Sequence, residues 1–280
     1  MIRERLTEPI DKNALDQLKK HFFERVANEP DQYDPIDLER IEKDDWWVYR
    51  FLAGNLLNHE TALEAMIESM KWRKSHGFRS FKMNYFPDMF FKTGALFQYE
   101  TDKQGRPSLI LRIKFVRKIK DIQSAIEQFV DHVLWSIDED SNGNGWILIF
   151  DFKDAGLQNA DFDLLHYLIN DLKIHFPLGI DAVLVVDLPW ILKAFWSMVK
   201  TWIPNEGGDL VQFTTRKKLK DHFDESNLPD FLDGKCKRPY KGDRMVPNGS
   251  PDVYHFGSKV MNVPANKIES IVKIYESIMT

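Results

Sequence analysis

The sequence lacks the features that mark several large classes of protein. Its 280 residues include a single cysteine, Cys236, so we expect neither a disulfide framework nor a cysteine-based metal site. No run of about 18 apolar residues occurs, so a transmembrane span is not expected. The net charge of −5 lacks the basic excess of nucleic-acid binders, and we predict no nucleic-acid partner.

The common catalytic and cofactor motifs are missing as well. The chain contains no GxxxxGK[ST] phosphate loop, no GxSxG nucleophile elbow and no HExxH zinc motif. We therefore predict no cofactor, no metal and no enzymatic activity. Asp151 and Asp187 end two predicted strands, where ligands of open sheets often bind. An enzyme that uses either carboxylate stays an alternative, beside a helix-capping or loop role for both residues.

The first 85 residues show the three-to-four-residue spacing of apolar side chains that predicts helices. Such a stripe runs from Leu15 to Val26. Asp34-Pro35 opens a second helix, and Asp44 or Asp45 caps a third. A fourth begins near His59 and ends at Gly77. We interpret residues 1–85 as an N-terminal helical module.

After this module the pattern changes to strands that alternate with helices. Leu96–Glu100 and Ser108–Val116 predict a hairpin, and the apolar runs Trp146–Asp151 and Ile180–Asp187 predict strands buried on both faces. Leu210–Thr214 predicts a short strand. Helices are expected over three ranges: Asp121–Asp138, Asp161–His175 and Arg216–Phe223. The alternation predicts an α/β fold with a mixed, mostly parallel sheet over residues 86–240. A C-terminal tail, 241–280, is expected to carry one helix, Ala265–Met279.

The stretch Pro189–Ile203, here called the gate segment, contains three of the eight tryptophans. Pro189 suits the first position of a helix, and Pro204 is expected to end it. Its polar residues form one narrow stripe, and the rest of the predicted helix surface is apolar. Such a helix is either buried or faces lipid, and this one is too short to span a bilayer. A central core helix and a hinged lid over a hydrophobic ligand are both compatible with this pattern.

The order of these parts, over about residues 34–234, resembles the CRAL-TRIO family of lipid-binding proteins, which includes the yeast phosphatidylinositol transfer protein. Short motifs carry the resemblance along the chain. They are Asp45 through Phe51-Leu52, Trp72-Arg73, Gly105-Arg106-Pro107, Ile149-Phe150-Asp151 with Gly156, His175-Phe176-Pro177, Val186-Asp187-Leu188-Pro189-Trp190, and Leu228-Pro229 with Gly234.

The resemblance implies a sheet floor under a large apolar pocket that a gate helix closes. The gate helix maps onto the gate segment. From this correspondence we expect the lipid-binding residues to be Leu111, Ile113, Phe115, Trp190, Phe195, Met198, Val199 and Trp202.

Two positions depart from the family pattern. The family's Tyr-Pro-Glu-Arg reads here as Phe176-Pro177-Leu178-Gly179. The lysine that the family links to inositol headgroups aligns with Leu210. Both departures weaken the expectation of selectivity for phosphatidylinositol, and whether inositol headgroups are recognised stays open.

Basic residues surround the gate segment in sequence although the chain is acidic. We expect membrane contact from Trp196 and from five cationic residues, although a plain solvated helix face accounts for the cations equally well. These five are Lys193, Lys200, Arg216, Lys217 and Lys218.

The sequence thus predicts a cytoplasmic, peripherally membrane-associated monomer that binds, and transfers, a hydrophobic lipid. The alternative is a membrane-recruitment or protein-interaction module with a vestigial pocket. Which lipid is bound and which membrane is visited stay open.

Overall fold

The computed structural model describes residues 11–203 and 208–279 of the chain. Pro204, the expected end of the gate, lies outside the described residues. The described chain begins with four helices that share one core of their own. They are α1 (Lys12–Val26), α2 (Pro35–Lys43), α3 (Asp45–Gly54) and α4 (His59–His76).

Side-chain caps fix where these helices start. The Asp34 carboxylate accepts from the Ile36 N–H, with Pro35 in the first turn, and Asp44 accepts from Trp47. Such caps satisfy backbone donors that have no partner inside the helix. Helix α4 ends at Gly77, whose φ of 63° places it in the left-handed region. The helical character predicted for this part of the chain agrees with these elements.

The remaining elements build a sheet with its helices. In chain order they are α5 (Asp88–Lys92), β1 (Leu96–Thr101), β2 (Pro107–Arg112), α6 (Gln123–Ser141), β3 (Trp146–Asp151), α7 (Phe162–His175), β4 (Ile180–Val186), α8 (Lys193–Val199), β5 (Val211–Thr214) and α9 (Ala265–Met279). The strands lie in the order β1-β2-β3-β4-β5. The β1–β2 pair is antiparallel and the other pairs are parallel. The predicted α/β class and mostly parallel sheet are confirmed.

The two faces of the sheet pack against different parts of the chain. On one face, Leu148, Phe150 and Val185 join a core with α6, α7, α8 and α9. On the other face, Ile149 and Leu184 pack against the segment after β5, through Leu219 and neighbouring residues. Strands β3 and β4 are covered on both faces, which explains why their sequences are nearly continuous apolar runs.

Three predicted elements differ from those observed. The strand expected over Ser108–Val116 stops at Arg112, because its partner β3 ends opposite it at Asp151, and a 3₁₀ turn follows over Ile113–Phe115. The gate segment is a 3₁₀ turn, Trp190–Leu192, that leads into the short helix α8 rather than one long helix. The basic stretch is a 3₁₀ segment, Arg216–Asp221, rather than an α-helix.

Buried polar and aromatic contacts join the helical module to the sheet domain. Arg50 of α3 pairs with Asp138 of α6 through two hydrogen bonds of 2.8 and 2.9 Å, and it also donates to the Pro177 carbonyl at 2.7 Å. Trp72 of α4 stacks on His175 of α7, with the ring centroids 4.0 Å apart. These contacts fix α7, which forms a wall of the site described next.

Candidate functional site

Three apolar cavities lie side by side between the sheet and the helices on one of its faces. The largest has a volume of about 620 Å³ and lies between α7, the gate segment and strands β3 to β5. Two smaller cavities, of about 100 and 40 Å³, extend it toward α6, α9 and the end of β2. The largest alone falls within the range of about 300–1,000 Å³ typical of ligand pockets.

The floor of the cavities follows from the register of the strands. Leu109, Leu148, Val183 and Val211 lie opposite one another across four strands. Leu111 and Phe150 form the next row on the same face, two residues along each strand. Because side chains alternate in a strand, this register places one continuous apolar surface under the cavities.

Helix α7 forms the wall opposite the sheet. Its apolar side chains recur at helical spacing, and Leu168 borders all three cavities. Leu165 borders the two that adjoin the gate segment. The Asp161 carboxylate caps the helix by accepting from the Leu164 N–H. One apolar face of helix α7 therefore borders all three cavities.

The gate segment closes two of the three cavities, the largest and the smallest. Leu192, Trp196 and Val199 are buried, at the spacing that puts them on one side of α8. Trp196 borders both the largest and the smallest cavity, and its indole N–H has no hydrogen-bond partner among the described residues. The Trp196 ring packs edge-on against Phe213, with centroids 5.2 Å apart. Trp196 is thus a partition between two chambers.

Five of the expected lining residues do border the cavities. They are Leu111, Ile113, Phe115, Phe195 and Val199. Their role in binding a lipid stays a prediction.

The other three lie elsewhere. Trp190 and Met198 are 78% and 54% exposed, on the outer side of the gate segment. Trp202 lies outside the apolar cavities, against His166 and Phe162. The 3₁₀ turn that begins the gate changes the helical phase, and Trp190 and Met198 face outward, whereas Trp202 is half-buried beside α7.

Of the residues expected to contact a membrane, some are exposed and others are buried. Lys193, Lys200, Lys217 and Lys218 are exposed. Trp196 is buried, only 7% exposed, and so faces the cavity rather than solvent. Arg216 is also buried, because it pairs with Asp151 and approaches Asp187 at 3.6 Å. Asp151 and Asp187, the two carboxylates at the strand ends, therefore face this arginine.

The mouth of the largest cavity carries its few polar groups. Asn55 and Thr61 come from the α3–α4 loop and the start of α4, and Lys173 from α7. Among the described residues Lys173 has no ion-pair partner. Leu210, at the position of the family's lysine, lines the same cavity. Among the described residues, the positive charge at this mouth therefore comes from Lys173 of α7 and not from position 210.

Sequence reasoning missed three contributors to the site. They are the α3–α4 loop, the wall residues of α7, and Tyr275 with Ile278 of α9, which close the far end of the second cavity. The apolar stripe of α7 was visible in the sequence, but its spacing indicates a buried face without saying what that face encloses. Helix α9 itself was predicted, and its packing into the sheet-domain core was not.

A group of buried titratable side chains lies behind α7, on the side away from the cavities. Asp131 accepts from the Tyr167 hydroxyl at 2.7 Å and lies 3.2 Å from the His76 Nε2 atom. Burial, and then the neighbouring Asp131 carboxyl, raise the pKa of Asp171 to about 9. Burial lowers the pKa of His175 to about 4, so its ring is neutral where it stacks on Trp72.

Residues 11–203 and 208–279 contain no cluster of three or more histidine, cysteine or carboxylate side chains that could hold a metal ion. Across the same residues, no helix combines the length and apolar character needed to cross a bilayer.

The comparison with protein families identifies this architecture. The model of the CRAL/TRIO domain matches residues 91–234, slightly more than half of the chain. The chain belongs to the CRAL-TRIO family. The match covers the sheet, α6, α7 and the gate segment, but not the α3–α4 loop or α9, which also border the cavities.

Individual CRAL-TRIO proteins resemble the chain at low sequence identity. A CRAL-TRIO domain-containing protein of Schizosaccharomyces pombe is 23% identical over 241 residues, covering 76% of this chain and 52% of that protein. A phosphatidylinositol/phosphatidylcholine transfer protein of Arabidopsis thaliana is 25% identical, covering 72% of this chain and 41% of that protein. The chain thus spans about half, or less, of these relatives.

A solved structure shows the same fold. The crystal structure of Sfh5 aligns with a TM-score of 0.58 at 13% identity, covering 95% of this chain and 100% of that one. At such low identity the likeness supports the fold alone.

Proposed function

We propose that this CRAL-TRIO protein binds a lipid in the cavities between the sheet and the gate segment, and carries it between membranes without catalysing a reaction. The observation that supports the proposal is the apolar cavity of about 620 Å³, floored by β3 to β5 and closed by Trp196 and Val199. Its apolar lining suits an acyl chain, and among the described residues Lys173, at the mouth, is its only charged lining residue.

The energetics of burial are sufficient for such binding. Each CH₂ group removed from water contributes about 0.8 kcal/mol, so a chain of about sixteen carbons gives a gross gain of about 12 kcal/mol. Part of this gain is offset by the entropy lost on binding. The remainder holds the lipid without a covalent bond.

We further propose a cytoplasmic, monomeric protein that meets membranes peripherally through the outer side of the gate. Trp190 and Ile191 are exposed there beside Lys193. Aromatic rings partition well into the bilayer interface, and lysines are attracted by anionic leaflets. The division into 1–85, 86–240 and 241–280 is also a proposal, although α9 packs into the same core as the sheet.

Within the family we propose that the chain is nearest to the N-terminal domain of motile sperm domain-containing protein two. The segments that support this are Tyr33-Asp34-Pro35, Asp44-Asp45-Trp46-Trp47-Val48, Asp187-Leu188-Pro189-Trp190 and Val199-Lys200-Thr201-Trp202.

Lipid occupancy in two adjacent gate variants tests the function. Val199 is 1% exposed and lines the largest cavity, whereas Met198 beside it is 54% exposed. Val199→Trp fills the cavity and should lower the amount of lipid that mass spectrometry finds in organic extracts of the purified protein. Met198→Trp should leave that amount unchanged.

The outcome also separates lipid carriage from the alternative. An empty native protein would favour a recruitment or interaction module with a vestigial pocket. Equal lipid in a folded Val199→Trp variant would place the ligand outside this cavity.

A further inference from the structure

The loop between α3 and α4 exposes two adjacent leucines at the rim of the largest cavity. Leu56 is 73% exposed and Leu57 is 60% exposed. Leu56 lines the cavity mouth together with Gly54, Asn55 and Thr61. Val199 and Ile203 of the gate segment border the same cavity. The mouth is therefore flanked by an apolar loop from the helical module and by the gate.

Both leucines adopt a backbone conformation that their side chains disfavour. Their φ angles are 55° and 60°, in the left-handed region. The loop closes α3 with the double hydrogen bond of a Schellman motif: Leu57 N–H donates to the Leu52 carbonyl at 2.9 Å, and Leu56 N–H to the Ala53 carbonyl at 3.2 Å. In this motif the residue that Leu56 occupies is usually glycine or asparagine.

Folding does not explain Leu56, and it explains Leu57 only in part, because the position that Leu57 holds in a Schellman motif often carries an apolar residue that contacts the last turn of the helix. Glycine or asparagine would take the conformation with less strain. Two solvated leucines contribute little to the core, since most of each side chain stays in water. Strain and exposure together suggest that the loop is arranged for a surface outside the protein.

The position of the loop selects the kind of surface. A lipid that enters the cavity passes the rim formed by Leu56 and the gate. Lys173, at the same mouth and without a described ion-pair partner, complements an anionic leaflet. On the gate side, Trp190 and Met198 are exposed, next to Lys193.

We propose that the Leu56–Leu57 loop inserts into an anionic bilayer and forms a second membrane contact. This contact lies across the cavity mouth from the gate segment, so that the mouth opens onto the lipid. The inference rests on the proposed lipid-carrier function and adds the helical module to the membrane-binding surface.

The test is flotation with phosphatidylcholine vesicles that contain phosphatidylserine. The variant Leu56→Asn/Leu57→Asn should float at least fivefold less than the native protein. Leu56→Met/Leu57→Met keeps an apolar loop and should float normally. The control Ile36→Asn changes a 53% exposed side chain that borders none of the cavities described, and it should also float normally.

Stability and occupancy measurements make the result decisive. Asparagine relieves the left-handed strain, so the Tm of the double asparagine variant should equal or exceed that of the native protein. A lower Tm together with weaker flotation would assign the loop to folding and overturn the inference. Unchanged flotation, with lipid still present in extracts, would also overturn it while leaving the carrier function intact. An absence of lipid in the native protein would instead count against the carrier function itself.

Discussion

Replacing Trp196 tests whether this side chain separates two chambers of one binding site. It is 7% exposed and borders both the largest and the smallest cavity. Removing a buried Trp side chain costs about 3–5 kcal/mol, because apolar burial is lost and a cavity remains. We therefore expect Trp196→Ala to lower the free energy of unfolding of delipidated protein by about 3–5 kcal/mol, measured by urea denaturation.

A bound lipid should recover part of this loss. The variant joins the two chambers, and lipid chains that fill the new space replace contacts of the indole. A ligand at about 100 times its Kd adds about 2.7 kcal/mol to the stability of any binding-competent protein. We expect this gain to be larger in Trp196→Ala than in the native protein at equal lipid concentration.

The matched variant is Trp196→Phe, which keeps most of the ring. Removing the unpartnered indole N–H relieves a buried donor that costs about 1–3 kcal/mol, which offsets some of the lost area. This variant should therefore remain close to native stability. A loss below about 1 kcal/mol for Trp196→Ala would refute a packed partition. An equal lipid gain in native protein and Trp196→Ala would refute the joining of the chambers.

Three further predictions follow from the mouth, the gate and the buried carboxyls. Phosphatidylinositol should not outcompete phosphatidylcholine for native protein, and a strong inositol preference would contradict this. Leu210→Lys adds a cation to the lining of the cavity that Lys173 also borders. This variant should shift competition toward anionic headgroups by about tenfold, since a charge-assisted hydrogen bond is worth about 1.5–3 kcal/mol. Flotation with anionic vesicles should decrease as the salt concentration rises, and it should be weaker still in Lys193→Glu/Lys200→Glu. The reason is that each lysine contributes about 1 kcal/mol within a Debye length of about 8 Å of the membrane. Equal flotation with neutral vesicles at low and at high salt would exclude the electrostatic contribution. Because its pKa is raised, Asp171 keeps a proton in the folded chain that the unfolded chain releases above about pH 4. The free energy of unfolding should therefore decline toward pH 9, by at most about 1.4 kcal/mol per pH unit. In urea unfolding from pH 5 to 8.5, Asp171→Asn should flatten this decline, and equal slopes in the variant and the native protein would argue against the raised pKa.

The sequence predicts the elements of this fold better than the directions of its side chains. The runs that became β3 and β4 are unambiguous, because strands covered on both faces need no polar alternation. The gate segment is apolar on nearly all sides, so its sequence carries little phase information. Trp196 and Trp190 consequently exchange their expected places, with Trp196 inside and Trp190 exposed.

The parts of the site that could not be predicted from the sequence depend on contacts between segments that are distant in the chain. Leu56 reaches the cavity mouth because the Arg50–Asp138 pair docks α3 against α6, and periodicity within either helix does not report such docking. Arg216 is part of a basic stretch in sequence, yet the carboxylate of Asp151 lies within reach only after the parallel strands align. Both errors arise from tertiary pairing rather than from local propensity.

The gate segment is also part of the crossover connection from β4 to β5. Because these strands are parallel, the connection leaves β4 at its C-terminal end and enters β5 at its N-terminal end, so its two attachments lie at opposite ends of the strand pair. An outward movement of a segment attached in this way would pull on both strands. The weaker of the two is β5, a four-residue edge strand that pairs only with β4 among the described strands. On the proposed lipid-carrier function, we therefore expect opening of the cavity to strain this sheet edge, so that the length of β5 influences how easily a lipid is released.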